Sequence, residues 1–412
     1  MRALIDPVRA LTREQRHAFL ACFLGWALDA FDFFILIFAV RAIAADFHTG
    51  VRDVALAITL TLAMRPVGAL LFGVAADRFG RRPVLMVNVV AYSLIELVSA
   101  AAPSLRVLLA LRALYGVAMG GEWGVGAALA LESVPAASRG MLSGLLQEGY
   151  AVGYLAAAIT FALIFPLFGW RGMFVVGGLP ALLVLYIRSH VPESPTWLAG
   201  RASLQRPSAL GTLRAVAAHW RTFLYLVLLM TAFNFFSHGT QDLYPTFLQT
   251  THHLSPRAVG TIAAIYTVGA IAGGILFGTL SERIGRRRAI VLAALCALPL
   301  IPLWAYGHTP VALTLGAFGI QVMVQGAWGV VPAHLSELSP DAVRGTFPGL
   351  AYQIGNLLAS VNATLQATLA ERHGGNFAFA LAAVTGVVAI SVALIAGVGP
   401  EAKGVAFGNR TG

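Results

Sequence analysis

The segment Gly73-Val-Ala-Ala-Asp-Arg-Phe-Gly-Arg-Arg82 recurs later in the chain as Gly278-Thr-Leu-Ser-Glu-Arg-Ile-Gly-Arg-Arg287. The two copies lie 205 residues apart, close to half of the 412-residue sequence. A repeat on this scale indicates the duplication of one structural unit. The same offset relates two further groups, namely Glu132 and Arg139-Gly140 to Glu337 and Arg344-Gly345, and Gly121, Trp123 and Gly124 to Gly326, Trp328 and Gly329.

The amino-acid composition predicts that lipid surrounds most of the chain. Hydrophobic residues make up 58% and charged residues 11%, whereas a soluble domain carries about 25% charged residues. The net charge of +10 comes from short loops between apolar runs and forms no separate patch, so we expect no nucleic-acid partner. The apolar run after residue 18 is too long for a cleavable signal peptide, and we expect it to remain as a spanning helix.

Twelve apolar runs have about the 20 residues that a helix needs to cross a bilayer. They are too long for barrel strands, so we expect an all-α membrane protein. The duplication divides it into two pseudo-symmetric six-helix bundles, 1–198 and 220–412, with a cytoplasmic linker at 199–219 and a short cytoplasmic tail. Two such halves around a central site are the architecture of alternating-access carriers. The predicted spans are 18–40, 53–76, 84–102, 105–131, 140–165, 171–190, 221–248, 257–280, 289–306, 310–333, 346–370 and 376–398.

The distribution of basic residues predicts the orientation in the membrane. If the N terminus is cytoplasmic, 20 of the 28 lysines and arginines lie on the cytoplasmic side and six on the outer side, while Arg65 and Arg112 lie within spans. The positive-inside rule then places both termini in the cytoplasm. We therefore expect a multi-pass protein of the cell inner (plasma) membrane.

Nine ionisable residues fall inside the predicted spans, where a charged group facing lipid costs about 2.5–3.5 kcal/mol. They must face the bundle interior, pair with one another or be neutral. An anionic substrate needs a fixed cation, and proton coupling needs a carboxylate or histidine whose proton affinity changes as access alternates. The nine are Asp29, Asp32, Arg65, Glu96, Arg112, Glu122, Glu148, His238 and Asp242.

Arg65 and Arg112 are the candidate anchors for an anion, because no lysine falls within a span. A guanidinium group offers a fork of donors that matches a carboxylate. The alternative for each arginine is permanent pairing with an acid, for example of Arg112 with Glu96 or Glu122.

The seventh span carries a stripe of polar residues. It reads Asn234-Phe-Phe-Ser-His-Gly-Thr-Gln-Asp242, and positions 234, 238, 241 and 242 share one helical face. The stripe is about 12 Å long, by the rise per residue of a helix. His238 and Asp242, one turn apart, could share or pass a proton, although a histidine in a span is usually structural.

The paired Gly-x-x-x-Asp/Glu-Arg-x-Gly-Arg-Arg loops resemble the signature between helices 2 and 3 and helices 8 and 9 of the major facilitator superfamily. The segment Pro192-Glu193-Ser194-Pro195 also resembles members of that family. The resemblance implies gating residues that stabilise an outward-facing state without touching substrate, whereas the alternative is that these loops only fix topology. The gating candidates are Asp77, Arg78, Arg81, Arg82, Glu282, Arg283 and Arg286.

The stripe in the seventh span, extended to Thr246, resembles the signature Asn-x-x-Ser/Thr-His-x-Ser/Thr-Gln-Asp-x-x-x-Thr of the fungal Jen-type lactate/pyruvate:proton symporters, within the wider sialate:proton symporter group. Every fixed position of the signature is filled. The resemblance implies that this stripe lines the carboxylate path and that Arg65 matches the family's arginine in the middle of helix 2. Glu148 departs from the pattern, because a second glutamine is expected beside Gln147. Three further stretches are similar to the family: Trp26–Phe34, Gly116–Gly121 and Leu146–Tyr154.

We therefore expect electroneutral symport of one short monocarboxylate, of the lactate or pyruvate class, with one proton. The alternatives are a proton-coupled carrier of a larger sialic or aromatic acid and, further away, a carboxylate sensor that does not transport. No enzyme motif is present, and we expect no cofactor, no metal and a monomer. The predicted substrate-binding residues are Arg65, Asn234, His238, Gln241, Arg112, Gln147 and Gln353, and the predicted proton-coupling residues are Asp242, His238, Asp29, Asp32, Glu122 and Glu148.

Overall fold

The computed structural model describes residues 11–202 and 209–407, and every regular element in these two ranges is helical. The predicted all-α fold is confirmed, while residues 203–208 of the predicted linker lie outside the described residues. Helices occupy all twelve predicted spans. They are α1 (Arg13–Asp46), α2 (Val51–Phe79), α3 (Arg81–Ala100), α4 (Leu105–Ser133), α5 (Arg139–Gln147 and Gly149–Leu163), α6 (Phe165–Val176 and Leu183–His190), α7 (Trp220–Gln241 and Tyr244–Thr250), α8 (Pro256–Ile284), α9 (Arg286–Ala297 and Ile301–Tyr306), α10 (Pro310–Leu338), α11 (Phe347–Ala359 and Asn362–Arg372) and α12 (Phe377–Val398).

Nine of the described helices are long and apolar enough, by length and composition, to cross a membrane. The other three spans are α4, α5 and α11. α4 carries Arg112 and Glu122 among many glycines, and α5 and α11 are each interrupted near their middle. Two short helices, Pro195–Ala202 and Ala209–Ala218, lie between α6 and α7.

The turns that join α2 to α3 and α8 to α9 explain the last glycine of each repeated segment. Gly80 has φ 111° and Gly285 has φ 98°, a region that glycine adopts without steric cost. Their backbone N–H groups close the preceding helices by donating to Ala76 O and Ser281 O, each at 3.1 Å. We call the end of the bundle that contains these two turns the arginine-rich end.

Polar residues cap the helices and set boundaries that hydropathy does not show. Thr12, Ser104, Ser255 and Thr309 each accept a hydrogen bond from the backbone N–H three residues later. Such a cap is worth about 1 kcal/mol. α1 therefore begins at Arg13, five residues before the apolar run that predicted it.

Each half of the chain has its own hydrophobic core. One cluster of buried side chains runs from Leu11 to Val191, and a second is formed mainly by α7 to α12, with Trp26 and Trp123 of the first half added to it. Large apolar side chains such as Leu167 and Val398 are exposed on the outside. An exposed apolar belt around two packed cores is the arrangement expected in lipid.

The two halves touch through glycines near the arginine-rich end. A Cβ atom on Gly144 would lie 2.2 Å from Gly274 O, and one on Gly124 would lie 2.8 Å from Gly349 Cα. Further along α7, the side chains of His238 and Asp242 are 33% and 35% exposed. The halves are therefore in close contact at the arginine-rich end, whereas His238 and Asp242, further along α7, remain partly exposed.

Candidate functional site

Arg65 lies in the middle of α2 as a buried cation whose donors are not all used. Only 4% of the residue is exposed, and its Nε and Nη2 atoms have no hydrogen-bond partner among the described residues. It interacts electrostatically with Asp29, Glu122 and, across the two halves, His238. The structure thus brings the α2 arginine and the α7 stripe to one space.

The two aspartates of α1 face different surroundings. Asp29 lies within the electrostatic reach of Arg65, whereas Asp32 interacts with Glu96 and Arg112 in the core of the first half. Both carboxyl groups are fully buried and make no hydrogen bond to any described residue. Of these two aspartates, both predicted proton carriers, Asp29 is therefore the one close to Arg65.

Arg112 is held inside the first half by an acid and two aromatic rings. Its Nη2 atom lies 2.5 Å from Glu96 Oε2 and 2.9 Å from Ser99 Oγ. Its guanidinium carbon lies 4.4 Å from the centre of the Tyr115 ring and 5.1 Å from that of Phe174. The structure thus shows the pairing with Glu96 that the sequence left open, and Arg112 does not border the space between the halves.

Glu122 and Glu148 are buried acids without a fixed cationic partner. Neither Glu122 oxygen has a hydrogen-bond partner in the described part of the chain, and the same holds for Glu148 Oε1. Glu148 lies at the interruption of α5, where its Oε1 would be 2.1 Å from a Cβ atom on Gly274 of α8. Its counterpart in the repeat, 205 residues later, is Gln353.

The polar stripe of α7 divides between two neighbours. His238 Nδ1 lies 3.1 Å from Asp242 Oδ1, and His238 Nε2 lies 3.4 Å from Asn356 Oδ1 of α11. Gln241 instead donates through Nε2 to Gln321 Oε1 of α10 at 2.9 Å. His238 and Asp242 therefore form the predicted pair, while Gln241 is engaged with α10.

The remaining amides of the predicted site differ in how far their hydrogen bonds are satisfied. Asn234 Nδ2 donates to Met230 O at 2.8 Å, and Gln147 Oε1 accepts from Trp123 Nε1 at 3.3 Å. Gln353 is fully buried, and neither its Nε2 nor its Oε1 has a partner among the described residues. Gln353 is thus the amide with most free hydrogen-bonding capacity.

Sequence reasoning missed two kinds of residue in this region. Asn356, the second partner of His238, follows Gln353 by three positions in α11, and this polar pair in an apolar helix was the available signal. Aromatic side chains also gather between the halves, where Trp123 and Tyr352 have ring centres 4.7 Å apart. Hydropathy alone cannot distinguish aromatic residues that line a space from those that face lipid.

Two equivalent ion-pair clusters lie at the arginine-rich end, one in each half. Arg81 contacts Glu132 through Nε and Nη2, both at 3.2 Å, and lies 3.2 Å from Asp77. The second cluster repeats this arrangement, since Arg286 contacts Glu337 through the same atoms at 2.9 Å and lies 3.3 Å from Glu282. The acids that follow the arginines in sequence, Glu132 and Glu337, were recognised only as repeat markers.

Each cluster also reaches across to the other half. Asp77 accepts hydrogen bonds from the backbone N–H groups of Gly345 and Thr346 at 2.8 and 3.1 Å, and from Thr346 Oγ1 at 2.6 Å. Glu282 accepts from the backbone N–H of Gly140. The acid of each repeated segment thus caps a helix start in the opposite half, which joins the halves at this end.

The other predicted gating arginines stay within their own half. Arg82 donates through Nη2 to Arg188 O at 2.6 Å, and the exposed Arg78 side chain lies over the ring of Phe79. Arg283 is exposed, and its carbonyl oxygen accepts from Lys403 Nζ. Near Arg82, burial raises the pKa of the Glu193 carboxyl, while backbone N–H groups of Ser194, Arg82 and Arg81 oppose that rise.

Comparisons with known proteins identify the family of this chain. The family profile "Sugar (and other) transporter" matches residues 18–216, and "Major Facilitator Superfamily" matches residues 227–411. The "Probable 4-methylmuconolactone transporter" of Cupriavidus pinatubonensis is 30% identical, over 97% of this chain and 94% of that protein. The chain belongs to the major facilitator superfamily. The family and its named relatives are transporters rather than enzymes.

This superfamily member is also similar to the "Carboxylic acid transporter protein homolog" of Saccharomyces cerevisiae, with 29% identity over 90% of the chain and 64% of that longer protein. Among solved structures, it resembles the proton:xylose symporter XylE bound to 6-bromo-6-deoxy-D-glucose. The TM-score is 0.79 at 18% identity, over 96% of this chain and 98% of XylE. That similarity confirms the major facilitator fold and carries no information on substrate.

Proposed function

We propose that the protein is a proton-coupled symporter of an organic monocarboxylate that works by alternating access. The observation that carries the proposal is the buried Arg65, whose Nε and Nη2 atoms have no partner among the described residues. A buried cation with unused donors is costly. A carboxylate offers the complementary pair of acceptors, and it would meet Arg65 in the space that His238 and Asp242 also border.

The buried charges of the first half support proton coupling. Apart from Glu148 and the charges at the arginine-rich end, four acids and two arginines of the first half are buried together. Full ionisation of this group would leave two uncompensated negative charges in a medium of low dielectric. We infer that protons neutralise part of this excess, and that a substrate anion beside Arg65 increases the affinity for one more proton. By linkage, the proton increases the affinity for the anion to the same extent. The acids are Asp29, Asp32, Glu96 and Glu122, and the arginines are Arg65 and Arg112.

His238 and Asp242 are our first candidates for carrying that proton. They are 3.1 Å apart and partly exposed to the space between the halves, so they can exchange protons with solvent. Asp29 is the competing carrier, because it lies beside Arg65, and Asp32, Glu122 and Glu148 are more enclosed. Asn234, Gln241, Gln147 and Gln353 remain the proposed hydrogen-bond donors to the substrate.

The substrate we propose is a short monocarboxylate of the lactate or pyruvate class. Its support is the α7 signature and the similarity to a yeast protein named as a carboxylic acid transporter homolog. A larger unsaturated or aromatic acid is the second candidate. It is favoured by the stacked Trp26 and Tyr150, whose ring centres are 5.8 Å apart, by Trp123 and Tyr352 between the halves, and by the relative named for methylmuconolactone.

The proposed setting is the cell inner membrane, with a monomer spanning it twelve times. Two bundles, 1–198 and 220–412, would be joined by a linker at 199–219. The arginine-rich end would face the cytoplasm by the positive-inside rule. The structure, closed at that end, would then correspond to the outward-facing conformation, stabilised by the gating residues.

Uptake of labelled lactate into proteoliposomes under an inward proton gradient tests the proposal. We expect accumulation that a proton ionophore abolishes, together with loss of uptake in Arg65→Ala and His238→Ala. Undiminished lactate uptake by both variants would refute the assigned site.

A competition panel distinguishes the two substrate classes. Unlabelled pyruvate should compete more strongly than benzoate, muconate or sialic acid if the short-acid proposal is correct. If folded protein fails to transport lactate and instead transports an unsaturated, aromatic or sialic acid, that result would support the proposed carrier but refute the proposed short substrate.

A further inference from the structure

The segment that follows α12 crosses from the second half to the first at the arginine-rich end. We call residues 401–407 the C-terminal strap. Its beginning is attached to the second half, where Glu401 Oε2 accepts from the backbone N–H of Arg287 at 3.1 Å and Lys403 Nζ donates to Arg283 O at 3.2 Å. Val405 packs against the hydrophobic core of the same half.

The other end of the strap reaches the first half. Val405 O accepts a hydrogen bond from Arg139 Nη1 at 2.6 Å, and the Phe407 ring packs against the core of the first half. The centre of that ring lies 3.5 Å from the guanidinium carbon of Arg139 and 3.8 Å from that of Arg344. Phe407 is thus placed between two cations, one from each half.

The two arginines occupy the same position in the repeat. Arg139 begins α5, and Arg344, 205 residues later, lies three positions before the first residue of α11. Both are buried, and both are oriented by a backbone carbonyl. Arg139 Nε donates to Leu131 O at 3.2 Å, and Arg344 Nε donates to Ser336 O at 3.1 Å. The two guanidinium groups repel each other, and an aromatic face attracts both. Arg344 is also paired with Asp341 and lies 3.6 Å from Glu132 of the first half.

We propose that the C-terminal strap is a clasp that holds the arginine-rich end closed by keeping Phe407 between Arg139 and Arg344. Opening this end separates the two halves, so the ring can then keep one of the two guanidinium groups at most. The clasp therefore favours the closed conformation and lowers the rate at which this end opens. The proposed clasp requires only that this protein alternates between two conformations, as transporters of its superfamily do. It does not depend on which substrate is carried.

The distance between spin labels on the two halves measures this equilibrium directly. Ala137 and Ala342 are exposed, lie at equivalent positions of the repeat, and flank the clasp. Both would be replaced by labelled cysteine in a chain in which Cys22→Ala and Cys296→Ala remove the native thiols. Pulsed electron paramagnetic resonance on the full-length protein in nanodiscs then reports the fraction of molecules open at this end.

Three variants isolate the contribution of the ring. Phe407→Leu keeps an apolar side chain without an aromatic face, and Phe407→Trp keeps the aromatic face. Phe79→Leu is the matched control, because the guanidinium carbon of Arg78, in the same half, lies 5.2 Å from the centre of the Phe79 ring, and the described residues show no cation–aromatic contact of Phe79 with the other half. Removing a cation–aromatic interaction at a partly buried site shifts an equilibrium about 5- to 10-fold.

We expect Phe407→Leu to raise the ratio of open to closed molecules about 5- to 10-fold, while Phe407→Trp and Phe79→Leu stay close to the parent chain. An unchanged distance distribution in Phe407→Leu would overturn the clasp. An equal shift in Phe407→Leu and Phe79→Leu would overturn it as well, because the effect would then not depend on bridging the halves.

Discussion

The two arginines inside the spans show how one residue type performs two tasks. Arg112 is enclosed by Glu96, Ser99, Tyr115 and Phe174, and its charge is balanced within the first half. Arg65 is almost as deeply buried but keeps unused donors beside the α7 stripe. Sequence could place both arginines in spans, but it could not tell which one had a permanent partner, because that depends on the rotation of α3 against α4.

Replacing Arg65 by glutamine should remove substrate binding. The Nε and Nη2 atoms of Arg65 make no hydrogen bond to the described residues that would be lost, whereas a charge-assisted bond to a carboxylate is worth about 1.5–3 kcal/mol. We expect the affinity for lactate to fall at least about 10- to 100-fold. Equilibrium binding and uptake measure the loss, and wild-type affinity in Arg65→Gln would contradict the anchor role.

The matched control is Arg171→Gln at the opposite end of the bundle. Arg171 is 41% exposed and pairs with Asp46, whose pKa it lowers through a hydrogen bond. That pair contributes stability above the carboxyl's unfolded pKa and loses it as the pH falls through the lowered value. At neutral pH we expect Arg171→Gln to bind and transport like the parent protein.

Arg112 should prove necessary for stability and dispensable for substrate recognition. Arg112→Leu leaves Glu96 buried without its partner, which costs about 3–5 kcal/mol, so the melting temperature in detergent should fall. The double variant Glu96→Leu with Arg112→Leu removes both charges and should recover most of the stability and the uptake. A stable Arg112→Leu protein without transport would instead identify Arg112 as an anion anchor.

At the scale of helices, the crossing of α5 and α8 controls how closely the halves approach. Gly144 lies against the backbone of Gly274, and the interruption of α5 at Glu148 lies one turn further on. The pattern of glycines in α5 was visible in the sequence. The sequence did not show what these glycines contact, because only the tertiary structure shows that this face of α5 packs against the other half rather than against helices of its own half.

Gly144→Ala should prevent the arginine-rich end from closing. Its Cβ atom would lie 2.2 Å from Gly274 O, a backbone atom that cannot move aside alone, and overpacking of this kind costs about 1–3 kcal/mol. Spin labels at Ala137 and Ala342 should report an open population raised about 10-fold or more. Gly260→Ala in α8 is the control, since its Cβ atom meets nothing within 4 Å, and equal behaviour of the two variants would contradict the idea.

At the scale of the whole molecule, the duplication produces a gate with two equivalent locks. Asp77 caps Gly345 and Thr346 in the second half, and Glu282 caps Gly140 in the first. The sequence predicted the twelve spans and the repeat, and it singled out these segments as gating candidates. It could not predict that each acid caps a helix in the opposite half, because contacts across a pseudo-twofold axis leave no periodic signal in the chain.

The two locks should act independently. Asp77→Asn and Glu282→Gln each weaken hydrogen bonds to a charged acceptor, so we expect each to favour opening about 10-fold. The double variant should open about 100-fold more readily, because the locks lie in separate clusters and their free energies should add. The label pair at Ala137 and Ala342 measures all three variants. A double variant no more open than either single variant would show that one lock alone sets the equilibrium.

The contact of backbone with backbone between the halves, described above for Gly144 with Gly274 and Gly124 with Gly349, has a kinetic consequence. Surfaces that meet through glycines have few interlocking side chains. The two halves can therefore change their relative orientation without forcing side chains out of their rotamers. The barrier to rocking should then come mainly from breaking the polar locks, whose strength depends on ionic surroundings, and little from repacking. We expect the exchange rate to respond strongly to charge-neutralising substitutions in the two locks.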